Sequence, residues 1–498
     1  MPRFNIMNFS EGLYSDTSIH NVPSGLSQGQ GGGLYVQSNV VTSYKIGIPT
    51  KRCGYALLGD VLQASKSITG LFNYRESSVV QTLLATINDA TDDDTQLFAL
   101  SGGTWSEITA AETAWANKAN INVEMEHFLG ECFFVGHGTT DGFISPRNYR
   151  LSTDTFGTNN TTGMPSAKFI KRYRDRLYIA NTFIGGTATP FRMYYSTVPS
   201  SGAITWDTTN NYIDVDYNEA ITGIGSNWDK MVLFTEYSAF FFTNPPIIKK
   251  LAWDVGCSNH RTIRNIGQYM IWTSMDGVHM SQGGGYPVNI SGRVKDFVQF
   301  VNTTNSFAEV VDEEYHLYIG AVTVNGISYA NTTLIFNLAT GTWRVHEYYD
   351  NMSVFAKYYI NGQDFMMMGS TSGFVHQLGK YTDSTLVTTD NSQPIHSMFQ
   401  TGALDFGHPS LKKMLNNLTV YSDRAQGLSL KARVIDANNQ GVSHWQTLGE
   451  LSSYITEFSI RPREGNFIQI EGVENGSNQY WSLLGMTYDV DVIETARK

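Results

Sequence analysis

The sequence predicts an all-β chain: a β-propeller of about seven blades, with six or eight still open, an N-terminal extended arm and a C-terminal β-sandwich-like module. Three observations predict it. First, Phe98–Trp105 (FALSGGTW) is rewritten at Phe336–Trp343 (FNLATGTW), with a looser copy, YYSTVPSSGAITW, at Tyr194–Trp206. Each copy reads as a short apolar strand, a Gly/Ser/Thr turn and a Trp opening the next strand, a unit that radially repeated β-proteins reuse. Second, the 498 residues are 13% aromatic and only 16% charged, with no long Ala/Leu/Glu/Lys runs, which is the usage of strands and turns. Third, strand-like groups recur every 40 to 50 residues or so, the length of a four-stranded blade.

In chain order, residues 1–52 form the arm and closing strand. Ser24–Gly33 (SGLSQGQGGG) is flexible by composition, and the strand-like LYVQSNVVTSYKIG follows it. Such an arm either closes a sheet of its own chain or reaches onto another subunit.

Residues 53–385 read as successive blades: Leu83–Ile108, Val123–Tyr149, Phe169–Trp206, Ile221–Trp253, Thr262–Val298, Phe307–Val345 and Val354–Leu378. Two tight hairpins stand out, at Arg174-Asp175 and at Asp276-Gly277. One Ala-rich stretch, Ile108–Ala119, predicts a helix with Thr109 as its N-cap. The repeat stops in the polar segment Tyr381–Gln393, and residues 394–498 predict a separate β-rich module.

The formal charge is -11, from 34 Lys and Arg against 45 Asp and Glu. A broad nucleic-acid reader is usually basic, so sequence-specific binding is disfavoured, whereas a wall past which DNA slides without sticking is compatible. Cys53, Cys132 and Cys257 are widely spaced and predict reduced, buried thiols rather than a disulfide framework. The N-terminus carries no signal-peptide pattern, and no apolar run approaches the roughly 18 residues of a spanning helix, which predicts synthesis in a cytoplasm and no stable membrane insertion.

Chemical motifs are scarce. Asp214–Asn218 begins like a calcium loop but has Glu219 and Gly225 where that loop needs Gly and Glu, so it predicts an acidic turn. His127, His137, His260 and His279 have no metal-ligand spacing and predict structural histidines. There is no nucleophile elbow, and Gln282–Gly285 lacks the Lys-Ser/Thr of a phosphate loop. Catalytic residues, cofactor and metal are therefore all expected to be none.

The turn-plus-Trp repeats resemble the Asp-box of sialidase propellers but lack its Asp; that box is structural even in the enzymes. The candidate interaction residues are the cations Arg172, Arg174 and Arg176, within a cluster that includes Lys168 and Lys171, and the pair Lys412-Lys413. Alternation along a hairpin keeps the arginines from sharing one face, so a solvated turn competes with a positive rim.

Four segments carry a wider resemblance: the opening RFNIMNFSEGLYSD with its Gly/Gln-rich arm, RYRDRLYIAN, the block WDVGCSNHRTIRNIGQYMIWTSMDGVHMSQGGGYPVNISGRVKDF, and TGALDFGHPSLKKMLNNLTV. Together they resemble the tail nozzle, or packaged-DNA stabilisation, proteins of short-tailed phages. The resemblance implies a non-enzymatic virion protein, made in the host cytoplasm and built into the tail. It implies a homohexameric ring at the end of the portal and adaptor column, contacting other tail proteins. Packaged double-stranded DNA would pass through the lumen and be retained there until ejection. The alternatives are a virion glycan-binding or sialidase-like propeller for host attachment, with Trp228, Trp272 and Trp445 as stacking aromatics, and a cellular interaction module.

Overall fold

The structure is a computed structural model that describes residues 3–6, 8–26, 32–42, 47–88, 94–109, 115–118, 120–138, 142–215, 219–227, 230–244, 247–251, 253–299, 305–382, 386–425, 427–436, 444–461, 463–476 and 480–493. It is all-β, built of many small sheets. Its described helices are single turns, such as Lys295–Val298.

Among the described residues, seven mainly antiparallel sheets of four or more strands follow one another from Ile68 to Leu378. Their first strands are Ile68–Arg75, Asn122–Phe128, Ser166–Tyr173, Gly223–Asn227, Arg264–Ile266, Phe307–Val311 and Met352–Ile360. Contacts run from each sheet to the next, and the seventh first strand packs against the first one. The seventh sheet borrows a strand from the other end of the chain, since Tyr55–Leu57 pairs antiparallel with Val375–Leu378. The first sheet begins at Ile68, earlier than the Leu83 expected, because Ile68–Arg75 pairs with Gln81–Asn88.

Turn chemistry sets the hairpins. Asn361-Gly362 (φ 48° and 86°) joins two strands of the seventh sheet, the left-handed pair that a two-residue hairpin requires. At Arg174-Asp175 the expected two-residue turn is present, with Tyr173 opposite Arg176. The Asp276-Gly277 expectation is off by one residue. Ser274 pairs with Gly277, so the loop is Met275-Asp276 and Gly277 belongs to the strand. A side chain at Gly277 would collide with Ser291 and Asn289.

The repeated unit also proves heterogeneous. In the first copy Gly102-Gly103 form a two-residue turn and Trp105 lies opposite Leu100. In the second, a four-residue loop places Trp343 opposite Phe336. In the third, Trp206 follows an isolated Ser200–Ala203 bridge and lies outside any strand. What the copies share is a hydrogen bond. Each indole N–H donates to a carbonyl just beyond a strand of a neighbouring sheet: Trp105 to Leu58 (3.1 Å), Trp206 to Asn160 (3.1 Å) and Trp343 to Ile290 (2.7 Å).

Of the expected Ile108–Ala119 helix, residues 110–114 and 119 lie outside the described residues, and the described ones are not helical, 115–117 forming a turn. The Thr109 hydroxyl accepts from the Leu97 N–H at 2.9 Å. The Asp214–Asn218 turn also runs outside the described residues after Val215.

The two chain ends share one core. Arg3–Ile6 pairs with the strand Trp481–Ile493, and Gly33–Ser38 pairs with His396–Thr401. Two sheets built this way enclose Ile6, Leu34, Phe399, Leu418, Ile468 and Tyr488. The described part of the arm therefore joins sheets of its own chain, and its apolar residues Ile6, Phe9, Leu34 and Val40 enter a core otherwise built from residues 399–490. The polar segment after Tyr381 is also tied in, as Asp390 pairs with Tyr55.

Candidate functional site

The first strands of all seven sheets line one polar cavity of about 380 Å³. Alternation explains its chemistry, since each strand turns one set of side chains inward and packs the other between sheets. Lys171 meets Glu126 at 3.0 Å and Arg264 meets Glu309 at 3.2 Å, each pair bridging neighbouring sheets. His260 lies 3.7 Å from Glu124, and its Nδ1 accepts from the Ile224 N–H at 3.2 Å. Burial alone would raise the Glu124 carboxyl, but His260 and nearby Arg261 and Arg264 hold it below the ordinary range.

Arg261 differs from these paired groups. It projects from the short turn His260–Thr262 and reaches across to two distant sheets. Nη2 donates to the Ser353 carbonyl at 2.7 Å, and Nη1 makes a long 3.4 Å contact with Asn122 Oδ1. Its guanidinium lies 5.1 Å over the Phe307 ring. Burial pulls its pKa down to about 10 despite the opposing field of Glu124. Arg261 also lines a second cavity of about 490 Å³ bordered by Asn122, Asn331 and Asn351, so its side chain stands between the two spaces.

The cations singled out in the sequence lie elsewhere and do not converge. Arg172 is exposed with its guanidinium 5.7 Å from the Phe128 ring, and Arg174 is exposed in the turn beside Tyr173. Arg176 faces the other way, donating to the Ser196 carbonyl at 2.6 Å. The register pairs Arg172 with Leu177 and Tyr173 with Arg176, which puts the two arginines on opposite faces. Lys412 is half-exposed, 3.8 Å from Glu464.

Lys413 corrects its expected role as a docking cation. It is fully buried, and its Nζ donates to the carbonyls of Leu411 (2.8 Å), Asn466 (2.7 Å) and His408. Burial lowers its pKa. A lysine held this way fastens a loop to a strand and offers no charge to a partner.

Among the described residues, the aromatics proposed for sugar stacking do not form a platform. Trp272 is fully buried and donates to the Gly256 carbonyl at 2.9 Å, Trp445 is half-buried under Arg433, and Trp228 lies outside the described residues. His127, His137 and His279 are each held below the ordinary imidazole range, chiefly by burial. Among the described residues no three His, Cys, Asp or Glu side chains gather to hold a metal ion, and no helix is long and apolar enough to cross a membrane. All three cysteines are buried.

Sequence reasoning missed Glu124, Arg261, Arg264 and Glu309. The available signal was NHRTIRN, Asn259–Asn265, where two arginines stand three residues apart in a short polar stretch.

No family model matches the chain, and no curated protein matches it in sequence. Among solved structures, the AfRom2 CNH domain aligns with 66% of this chain and 100% of its own length, at 8% identity and a TM-score of 0.40. That level of likeness carries no argument about fold or function.

Proposed function

We propose that the chain is a structural subunit of a phage tail, in which the seven sheets are the blades of a propeller and the shared core of the two chain ends is a β-sandwich. The subunits form a homohexameric ring below the portal and adaptor column. Double-stranded DNA passes through the ring and is retained there until ejection. The observation that carries this reading is that the two ends of the chain are woven into one body, with one buried ion pair inside it and another tying it to the seventh sheet. Arg52 meets Asp390 at 2.5 Å and Lys51 meets Glu474 at 2.7 Å, with all four side chains almost inaccessible. That construction suits a load-bearing part.

A DNA path would run between subunits and not through one. The cavity inside the subunit is only about 380 Å³ and is bounded by Arg261, whereas the major groove of DNA alone is about 12 Å wide. The net charge of -11 favours sliding over adhesion on such a lumen.

The test is electron microscopy and light scattering of the purified full chain, with mass spectrometry of virions from the same source. Sixfold rings, and the chain among the tail proteins, are expected. A strictly monomeric particle absent from virions would overturn the proposal.

A further inference from the structure

We infer that the second cavity, beside Arg261, binds a carboxylate-bearing saccharide. This inference is independent of the assembly proposed above.

Among the described residues, Arg261 is the only charged side chain lining this space of about 490 Å³. The remaining polar lining is neutral and consists of carboxamides and hydroxyls, including Asn122, Asn331, Asn351 and Thr371. Asn122 and Asn351 are exposed at its rim, so the space is open to solvent. Polyphosphates need several converging cations, which are missing here. A ligand with many hydroxyls and one carboxylate matches donors and acceptors of this kind around a single guanidinium.

Other groups hold the pocket in shape. The Tyr318 hydroxyl donates to Asn351 Oδ1 at 2.5 Å, which fixes that carboxamide with its N–H donors turned away from the tyrosine. Asn331 donates to the Tyr348 and Tyr349 carbonyls, leaving its oxygen as an acceptor. Phe307 and Tyr318 stack at 4.8 Å and form an aromatic wall. Arg261 makes no ion pair with a carboxylate within 4 Å among the described residues, unlike Lys171 and Arg264 in the neighbouring cavity. A partly buried guanidinium with neutral partners gains most from an incoming carboxylate.

The experiment is ligand-observed NMR and calorimetry on the full chain with three probes: D-glucuronate, D-glucose and acetate. Saturable glucuronate binding is expected by about 10 mM, with glucose and acetate each at least about tenfold weaker. Arg261→Gln should weaken glucuronate at least about tenfold and leave glucose unchanged. Asn351→Asp, an exposed substitution that keeps the fold if the first variant loses it, should also weaken glucuronate selectively. No saturable binding, equal affinity for glucuronate and glucose, acetate binding as tight as glucuronate, or an unchanged glucuronate affinity in a folded variant would each overturn the inference.

Discussion

Arg52 commits all five of its N–H donors, two of them to the carboxylate of Asp390. Nη1 and Nη2 reach Asp390 Oδ1 and Oδ2 at 2.8 and 2.5 Å. The others meet Asn39 Oδ1 (2.6 Å), the Cys53 carbonyl (2.9 Å) and the Glu347 carbonyl (2.7 Å). The partners come from the N-terminal segment, the sixth sheet and the segment after the seventh. One side chain therefore joins three parts of the chain that are far apart in sequence. Its charge is held by Asp390, which raises the arginine pKa against the effect of burial.

Removing one partner of this pair should be far costlier than removing both. Asp390→Ala strands a buried guanidinium, at a cost of about 3–5 kcal/mol. The double variant Arg52→Met with Asp390→Leu should recover most of that loss, since it leaves no charge to satisfy. Denaturant unfolding followed by tryptophan fluorescence reads both. Strictly additive losses would show that the two side chains are not energetically coupled.

The recurring indole bonds make a second prediction. Trp343 is buried at 1% exposure, and its N–H is spent on the Ile290 carbonyl of the preceding sheet. Trp343→Phe keeps an aromatic ring and loses only that donor and some volume, so a loss of about 1–2 kcal/mol is expected. Trp343→Ala opens a cavity as well and should cost about 3–5 kcal/mol. Equal destabilisation by the two variants would mean that packing alone matters there.

The repeat that signalled the fold was legible because strand, turn and Trp are local features. Its hydrogen bond was not, since Ile290 and Trp343 belong to different sheets and nothing in either segment names the other. The same limit explains Lys413. Two adjacent lysines after a Gly-His-Pro-Ser loop read as exposed, yet alternation turns Lys413 inward while Lys412 stays at the surface. Arg261 was hidden for a third reason: its setting depends on strands that begin at Asn122 and Met352, more than 200 residues apart in sequence. The arm was mostly legible as strand, but its partners at Met398 and Met486 lie at the far end of the chain.

Lys413 should therefore behave as a folding residue. Lys413→Ala leaves the His408, Leu411 and Asn466 carbonyls short of a donor, the last of them buried, and is expected to cost about 1–3 kcal/mol. Lys412→Ala and Arg174→Ala, at exposed positions, should stay within about 0.5 kcal/mol. Thermal unfolding of the three variants separates them. A neutral Lys413→Ala would contradict its hydrogen-bond set.

The sixth sheet should lose stability on acidification in two windows. Burial holds His316 down to about 4, against an ordinary value near 6.5. The unfolded chain thus takes up this proton first, so stability is lost as pH falls from about 6.5 to about 4, by up to about 3 kcal/mol. Glu314 acts lower. Burial alone would raise its carboxyl, but the Arg344 guanidinium, at 2.5 Å, outweighs that and holds it at about 2. Its contribution is complete above the unfolded value near 4.5 and disappears as pH falls towards 2, again by about 3 kcal/mol. His346 is also pushed well below its ordinary value by burial and by the same arginine, and it adds to the first window. Thermal midpoints measured from pH 7 to pH 2 should fall in both windows. His316→Asn should make the upper one shallower and leave the lower one, and Glu314→Gln should lower the neutral midpoint and flatten the lower one. A wild-type midpoint that holds steady down to pH 4 would remove the basis for the upper window.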